Sequence, residues 1–273
     1  MRVRVNDELS INYELTGDPG TQRVLVLTHG MGGSLHNWGD DVPELSKRYA
    51  VLTWDVRGHG ESDKPDVPYS AEMHARDLAG LIRALDISRP FVGGVSMGGA
   101  ITQRFLIDFP GVAAGAFLMS TSSQVSERMA DAWEQRAVLA ETQGMDAVIE
   151  GAARLANATS TLRPVPADRA AREQERLRAI PGNVYGHVVR AMKQYAWTPE
   201  LRSIDVPVLI LQGLQDTMCP PGGSVIMHRQ IRNSQLVMLD ECGHSLYWDQ
   251  PDAWRRHLLN FLDGVEAWEV SAR

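Results

Sequence analysis

The stretch Gly94-Val95-Ser96-Met97-Gly98 follows the apolar run Pro90–Gly93 and leads into Gly98–Phe109, a small, apolar segment of helical character. A serine held at the tip of a tight strand-to-helix turn stands exposed above a sheet. The flanking glycines tolerate the strained backbone and the close approach of neighbouring elements. The helix that follows points its free N–H groups at the same spot, which suits a developing oxyanion. The chemistry predicted is nucleophilic attack by the Ser96 hydroxyl.

A hydroxyl is a poor nucleophile without a base. Among the eight histidines, His244 is the best placed. It follows Gly243, after the apolar run that ends at Leu239 and before the C-terminal helical pattern. His74 and His257 fall in helical patterns and His187 and His228 in or near them, so these four read as surface or packing residues. The base needs an orienting carboxylate, and Asp216 lies just past the run Val206–Gln212. That gives the chain order Ser…Asp…His expected of a nucleophile on such an elbow. Asp205 precedes the same run and so lies at the wrong end of the sheet, while Asp240, which closes the last run, is the rival. An oxyanion also needs two fixed donors. Met97 N–H is one candidate. Met31 N–H, in the loop His29-Gly30-Met31-Gly32-Gly33-Ser34, is the other.

These residues require strands and helices to carry them. Strands are predicted over Arg2–Val5, Ile11–Thr16, Arg23–Leu27, Ala50–Trp54, Pro90–Gly94, Gly115–Met119, Val206–Gln212 and Gln235–Leu239. Several are continuous apolar runs, such as Val24-Leu25-Val26-Leu27, the pattern of strands buried on both faces of a parallel sheet. The first two alternate more and suggest an antiparallel edge hairpin. Helical patterns over Ala71–Leu85, Gly98–Phe109 and Pro251–Leu262 alternate with the strands, so the fold class expected is α/β.

From about Ser123 to Ser203 the alternation stops. Four helical segments are predicted there, roughly Ser126–Gln143, Met145–Ala156, Ala167–Ala179 and Asn183–Tyr195, punctuated by Pro164, Pro166, Pro181 and Gly182. The expected division is a core domain of residues 1–122 and 204–273 with a helical cap, residues 123–203, over one edge of the sheet. The aromatic and Met residues of the cap either line a pocket or pack it onto the core, packing being the commoner role at helical spacing. Trp133, Trp197 and Met218 are the candidates for substrate contact.

Composition narrows the partners. The chain has 273 residues and a formal net charge of -7, without a block of Lys/Arg, so a nucleic-acid partner is not expected. Cys219 and Cys242 are the only cysteines and form no metal or redox motif. The N-terminal residues show no apolar stretch of a signal peptide, and no run approaches the ~18 apolar residues of a membrane helix. A soluble, cytoplasmic protein acting on a small molecule, with no membrane partner, is the expectation.

Taken together these residues resemble the α/β-hydrolase superfamily, over almost the whole chain. Asp55-Val56-Arg57-Gly58-His59-Gly60-Glu61-Ser62 looks like that superfamily's structural Asp-x-Arg-Gly-x-Gly-x-Ser turn. Cys242-Gly243-His244 and Trp248-Asp249-Gln250-Pro251 are similar to its histidine loop and the helix start after it. Within the superfamily the pattern is most similar to 3-oxoadipate enol-lactonases and related small-molecule esterases. Ser96 departs from the Asp nucleophile of haloalkane dehalogenases, and Val95 from the Asn usual before the nucleophile of carbon–carbon bond hydrolases. The resemblance implies a mostly parallel eight-stranded sheet flanked by helices, with an inserted cap. It also implies hydrolysis of esters or lactones through an acyl-enzyme on Ser96, and the Met and Trp residues of the cap favour small to medium, largely apolar substrates. No metal or organic cofactor is implied. An acyltransferase or perhydrolase using the same triad, or a ligand receptor on the same fold, are the alternatives.

Overall fold

The computed structural model describes residues 1–156, 161–193 and 195–271. Eight strands form one sheet: β1 (Arg2–Asn6), β2 (Leu9–Thr16), β3 (Val24–Thr28), β4 (Ala50–Trp54), β5 (Phe91–Val95), β6 (Gly115–Met119), β7 (Val208–Gly213) and β8 (Ser234–Leu239). Their order is β1-β2-β4-β3-β5-β6-β7-β8. β2 pairs antiparallel with β1 and with β4, and all other neighbours are parallel. Every expected strand lies within two residues of an observed one.

The continuous apolar runs are legible once the sheet has two covered faces. Successive side chains of a strand point to opposite sides. Val26, Leu52, Val92, Leu118 and Ile210 therefore join one core with Trp54, Leu78 and Phe105. Leu25, Val51, Phe91, Phe117 and Leu209 join a second with Trp38, Trp254 and Leu258. Burying each such side chain contributes ~1.5–3 kcal/mol, so the central strands form the stiffest part of the molecule.

The helices are α1 (Val42–Leu45), α2 (Ala71–Ala84), α3 (Met97–Asp108), α4 (Glu127–Ala156), α5 (Ala167–Arg178), α6 (Gly182–Ala191), α7 (Pro221–Gln230), α8 (Leu246–Asp249) and α9 (Pro251–Ser271). α2, α3 and α7 contribute to the first core and α9 to the second. α2 starts at Ser70, whose hydroxyl accepts from Met73 N–H at 3.2 Å, an N-cap.

Helices α4 to α6 occupy the chain between β6 and β7. Gly144, at φ 82 and ψ 178, breaks the helical path of α4, at the point where the sequence pattern divides Gln143 from Met145. The stretch leaves and returns through a short antiparallel neck: Trp197 N–H donates to Ser123 O and Val125 N–H to Tyr195 O, each at 3.1 Å. The helix expected over Asn183–Tyr195 ends at Ala191, because the chain must straighten to make that neck. Residues 157–160 of the expected insertion, residue 194 of its last segment and residues 272–273 lie outside the described residues.

Candidate active site

Ser96 stands between β5 and α3 with φ 56 and ψ -117. A non-glycine residue in this region is strained, and such strain persists only where the surroundings enforce it. They do. Ser96 N–H donates to Met119 O at 2.9 Å, its carbonyl receives Ala100 N–H at 3.0 Å, and Thr121 Oγ1 donates to the same carbonyl at 2.9 Å. The turn also needs its glycines. A Cβ at Gly94 would lie 2.5 Å from Thr28 O, and one at Gly98 2.3 Å from the same oxygen. The end of β3 crosses the elbow at a distance that excludes any side chain.

The loop after β3 runs beside the serine: a Cβ on Gly30 would sit 3.5 Å from Ser96 Cβ. Gly32 N–H goes to His59 Nε2 at 3.1 Å, Ser34 N–H to Asn37 Oδ1 at 2.6 Å and Leu35 N–H to Asp55 Oδ1 at 2.8 Å. Gly33 N–H goes to Gly30 O at 3.1 Å. Among the described residues Met31 N–H has no such acceptor, and neither does Met97 N–H, which opens α3 and so lacks an intrahelical partner.

Two histidines shape this loop. Burial keeps the His29 and His59 imidazoles below the ordinary histidine range, so both are neutral. His59 accepts from Gly32 at Nε2, so its Nδ1–H donates to Arg57 O at 3.2 Å. His29 accepts from Val56 N–H at 3.0 Å and donates from Nδ1 to Gly30 O at 2.7 Å. Asp55 ties the turn that carries His59 to β2, accepting from Asn12 Nδ2 at 2.8 Å and Glu61 N–H at 2.9 Å.

Asp216 and His244 meet. His244 Nδ1 and Asp216 Oδ2 are 2.8 Å apart, with Asp216 2 % and His244 7 % exposed. The other carboxylate oxygen accepts Met218 N–H and Cys219 N–H, both at 2.9 Å. Asp216 thus cannot turn, and it engages Nδ1, which leaves Nε2 as the working nitrogen. The rival Asp240 points elsewhere, accepting from Gln215 Nε2 at 2.8 Å.

The strongest support around this pair comes from residues the sequence reading did not single out. Gln215 N–H donates to Cys242 O at 2.9 Å, and Cys242 N–H donates to Gln215 Oε1 at 2.9 Å, which locks the aspartate loop to the histidine loop. Gln212 Nε2 donates to Asp216 Oδ2 at 3.3 Å and to Cys219 O at 3.1 Å. The signal for Gln212 was a lone amide at the end of an otherwise apolar buried strand. For Gln215 there was none beyond adjacency to Asp216. Neither thiol competes with Ser96: burial pushes the Cys219 thiol up, and the Cys242 thiol up to about 12.

The three candidate substrate contacts sit on separate elements. Trp133 lies on α4, partly buried against the first core. Trp197 lies at the neck, its ring stacked on Tyr195 with centroids 4.4 Å apart and its Nε1–H donated to Gln103 Oε1 at 3.0 Å. Met218 follows Asp216 with its side chain exposed. On α4, Arg136 lies with its guanidinium 5.5 Å from the Tyr185 ring centroid. A Cβ on Gly32 would stand 4.0 Å from the edge of that same ring. Arg136 Nε is buried without a hydrogen-bond partner among the described residues. On the same helix, Glu134 pairs with Arg190 and Lys193, and Glu141 with Arg190. No cluster of three or more metal-ligating side chains occurs among the described residues, and no described helix is long and apolar enough to cross a membrane.

The model of the alpha/beta hydrolase fold family matches residues 23–251 of the chain. A 3-oxoadipate enol-lactonase of Acinetobacter baylyi is 26 % identical over 247 residues, covering 90 % of this chain and 91 % of the relative. A 2-hydroxy-6-oxo-2,4-heptadienoate hydrolase of Pseudomonas putida is 28 % identical over 264 residues, covering 90 % and 91 %. The crystal structure of an enol-lactonase from Burkholderia xenovorans superposes with a TM-score of 0.85 at 26 % identity, covering 95 % of this chain and 99 % of that one.

Proposed function

The chain belongs to the alpha/beta hydrolase fold family, and from that premise we propose that it is a serine hydrolase of small-molecule carboxylic esters or lactones. The observation that carries this reading is the strained Ser96 backbone, φ 56 and ψ -117, on an elbow after β5, while Asp216 and His244 pair after β7 and β8, at the carboxyl end of the same set of parallel strands. His244 Nε2 takes the Ser96 proton as Oγ attacks the carbonyl carbon. Asp216 keeps Nδ1 protonated and stabilises the imidazolium. The N–H groups of Met31 and Met97 receive the oxyanion. The imidazolium then protonates the leaving oxygen, and His244 deprotonates a water that releases the acid and restores Ser96. This two-step acyl transfer requires no cofactor. Helices α4 to α6 act as a cap, and Trp133, Trp197 and Met218 border the acyl or alcohol group.

Charge refines the substrate. Arg136 is a half-buried cation of α4 whose guanidinium lies over the Tyr185 ring, and that ring reaches the loop of Met31 at Gly32. That favours esters or lactones that carry a carboxylate over neutral ones of the same size. The test of the core reading is Ser96→Ala, which should lower kcat for p-nitrophenyl acetate on the order of 10⁴-fold or more while leaving the fold intact. Retained turnover would remove Ser96 as nucleophile.

A further inference from the structure

Asp249 closes α8, shortly after His244, and is only 3 % exposed. Its carboxylate is divided between two parts of the chain. Oδ2 accepts Gly243 N–H at 2.8 Å, from the residue directly before His244. Oδ1 accepts the N–H groups of Leu162 and Arg163 at 2.9 and 3.0 Å, in the stretch between α4 and α5. A buried carboxylate is costly unless bonded, and these three donors satisfy it. Trp248 repeats the link. Its Nε1–H donates to Arg163 O at 3.2 Å, and Arg163 Nη1 donates back to Trp248 O at 3.2 Å. Arg169 of α5 lies with its guanidinium 4.3 Å from the centroid of the same indole. Gly243 is held from the other side as well: a Cβ on Gly213 would lie 2.2 Å from Gly243 O. The residue before His244 is therefore wedged between the end of β7 and Asp249.

We propose that Asp249 is a positioning residue for His244, and that it couples the position of this base to the docking of the inserted helices. The proposal rests on the reading of His244 as the general base. A carboxylate is rigid, so a shift of residues 162–163 at one oxygen moves the group that holds Gly243 at the other. A misplacement of about 1 Å at a reacting group costs on the order of 100-fold in rate.

Asp249→Ala should lower kcat on the order of 10–100-fold. KM should change by less than about threefold, since no ground-state substrate contact is removed. In the same protein, the downfield proton resonance of the His244–Asp216 hydrogen bond should shift or broaden. The double variant Arg163→Ala/Arg169→Ala removes only side chains at the surface of the link and keeps Asp249. It should lower kcat about two- to threefold and shift the resonance in the same direction as Asp249→Ala does. An unchanged kcat and resonance in folded Asp249→Ala would overturn the proposal. Should that variant not fold, an unchanged kcat and resonance in the double variant would overturn it equally. His244→Ala separates the two readings. Turnover that survives it removes the base itself. If it abolishes turnover while the other variants behave like the parent, only the positioning role falls.

Discussion

The sheet and the inserted helices share the first apolar core, which takes in Ala140 of α4 and Val189 of α6, and differ in what is added to it. Strands β3 to β7 are buried along their whole length. α5, by contrast, has no buried residue, and the rims of α4 and α6 are joined by Arg190 and Lys193 to Glu134 and Glu141. The sheet side also encloses titratable groups that stay neutral, such as His29, His59 and His74. The first region is therefore sensitive to pH, and the second to salt. The proposed reacting groups stand on the rigid support. The proposed ligand wall stands on the inserted helices, whose link to the histidine loop runs through Asp249.

The sharpest break in that contrast comes from the sheet side. Asp216→Asn should leave the fold intact, since the amide oxygen can still accept Met218 and Cys219 N–H, yet lower kcat on the order of 10⁴-fold. An amide donating to Nδ1 selects the wrong tautomer. Steady-state kinetics with a melting curve as control checks this; a loss below about tenfold would show that another group orients His244.

His74 offers the next largest effect, on stability. It lies on α2, fully buried, with both ring nitrogens unpartnered among the described residues. Arg57 and His29 face it, and the Tyr69 ring meets it edge-on at 5.8 Å. Burial lowers its pKa from 6.5 to about 3. As pH falls below 6.5, the unfolded chain protonates this imidazole while the folded one does not, so stability falls with pH. Between pH 6.5 and 5 this one group costs about 2 kcal/mol. In His74→Phe the difference from the parent should therefore move in the variant's favour by that amount over the same interval. Urea unfolding at each pH reads it. The slope is the test, because the larger phenyl ring adds a constant packing cost. Asp41 titrates in the opposite sense, raised by burial to about 7, but it is common to both proteins and cancels. A flat difference would mean that His74 titrates in the folded protein as it does in the unfolded chain.

How much of this was legible in the sequence follows the same division. The strands could be read because burial on both faces leaves an unbroken apolar run with little room for other patterns. The proposed Ser96, Asp216 and His244 stand out by type and order, each after such a run, and of the contacts among them the structure shows that between Asp216 and His244. The kink at Gly144 was visible as a gap between two helical patterns. What could not be read is the support. Gln215 joins two loops and Asp249 joins three backbone donors across 86 residues of chain. A single polar side chain has no periodicity, and its partners are set by the fold. Arg136 was hidden for a related reason. Its contact with the Tyr185 ring joins α4 to α6 and leaves no periodic mark in the sequence.

On the insertion side the expected effects are smaller. Arg136→Ala should lower kcat/KM for carboxylate-bearing esters about tenfold relative to neutral esters of the same length, the loss of one charge-assisted contact. A matched pair of acidic and neutral esters measures it, and equal losses on both would mean that the guanidinium only packs on Tyr185.

The smallest effect is the most direct test of the contrast. Arg190 reaches Glu134 at 2.9 Å with side chains 33 % and 35 % exposed, and it also contacts Glu141. Pairs this exposed are worth about 1 kcal/mol or less. Arg190→Ala should therefore cost no more than that in urea unfolding at low salt, and the difference should shrink toward zero as screening length falls to a few Å near ~1 M salt. The His74→Phe difference has no exposed partner to screen and should keep its pH slope in the same buffers. α4 and α6 also bury Ala140 and Val189 in the first core, so an Arg190 difference that persisted undiminished would mean that this side chain stabilises by packing there and not by its charge. The inserted helices would then be stabilised as the sheet is, and the two regions would no longer respond to separate variables.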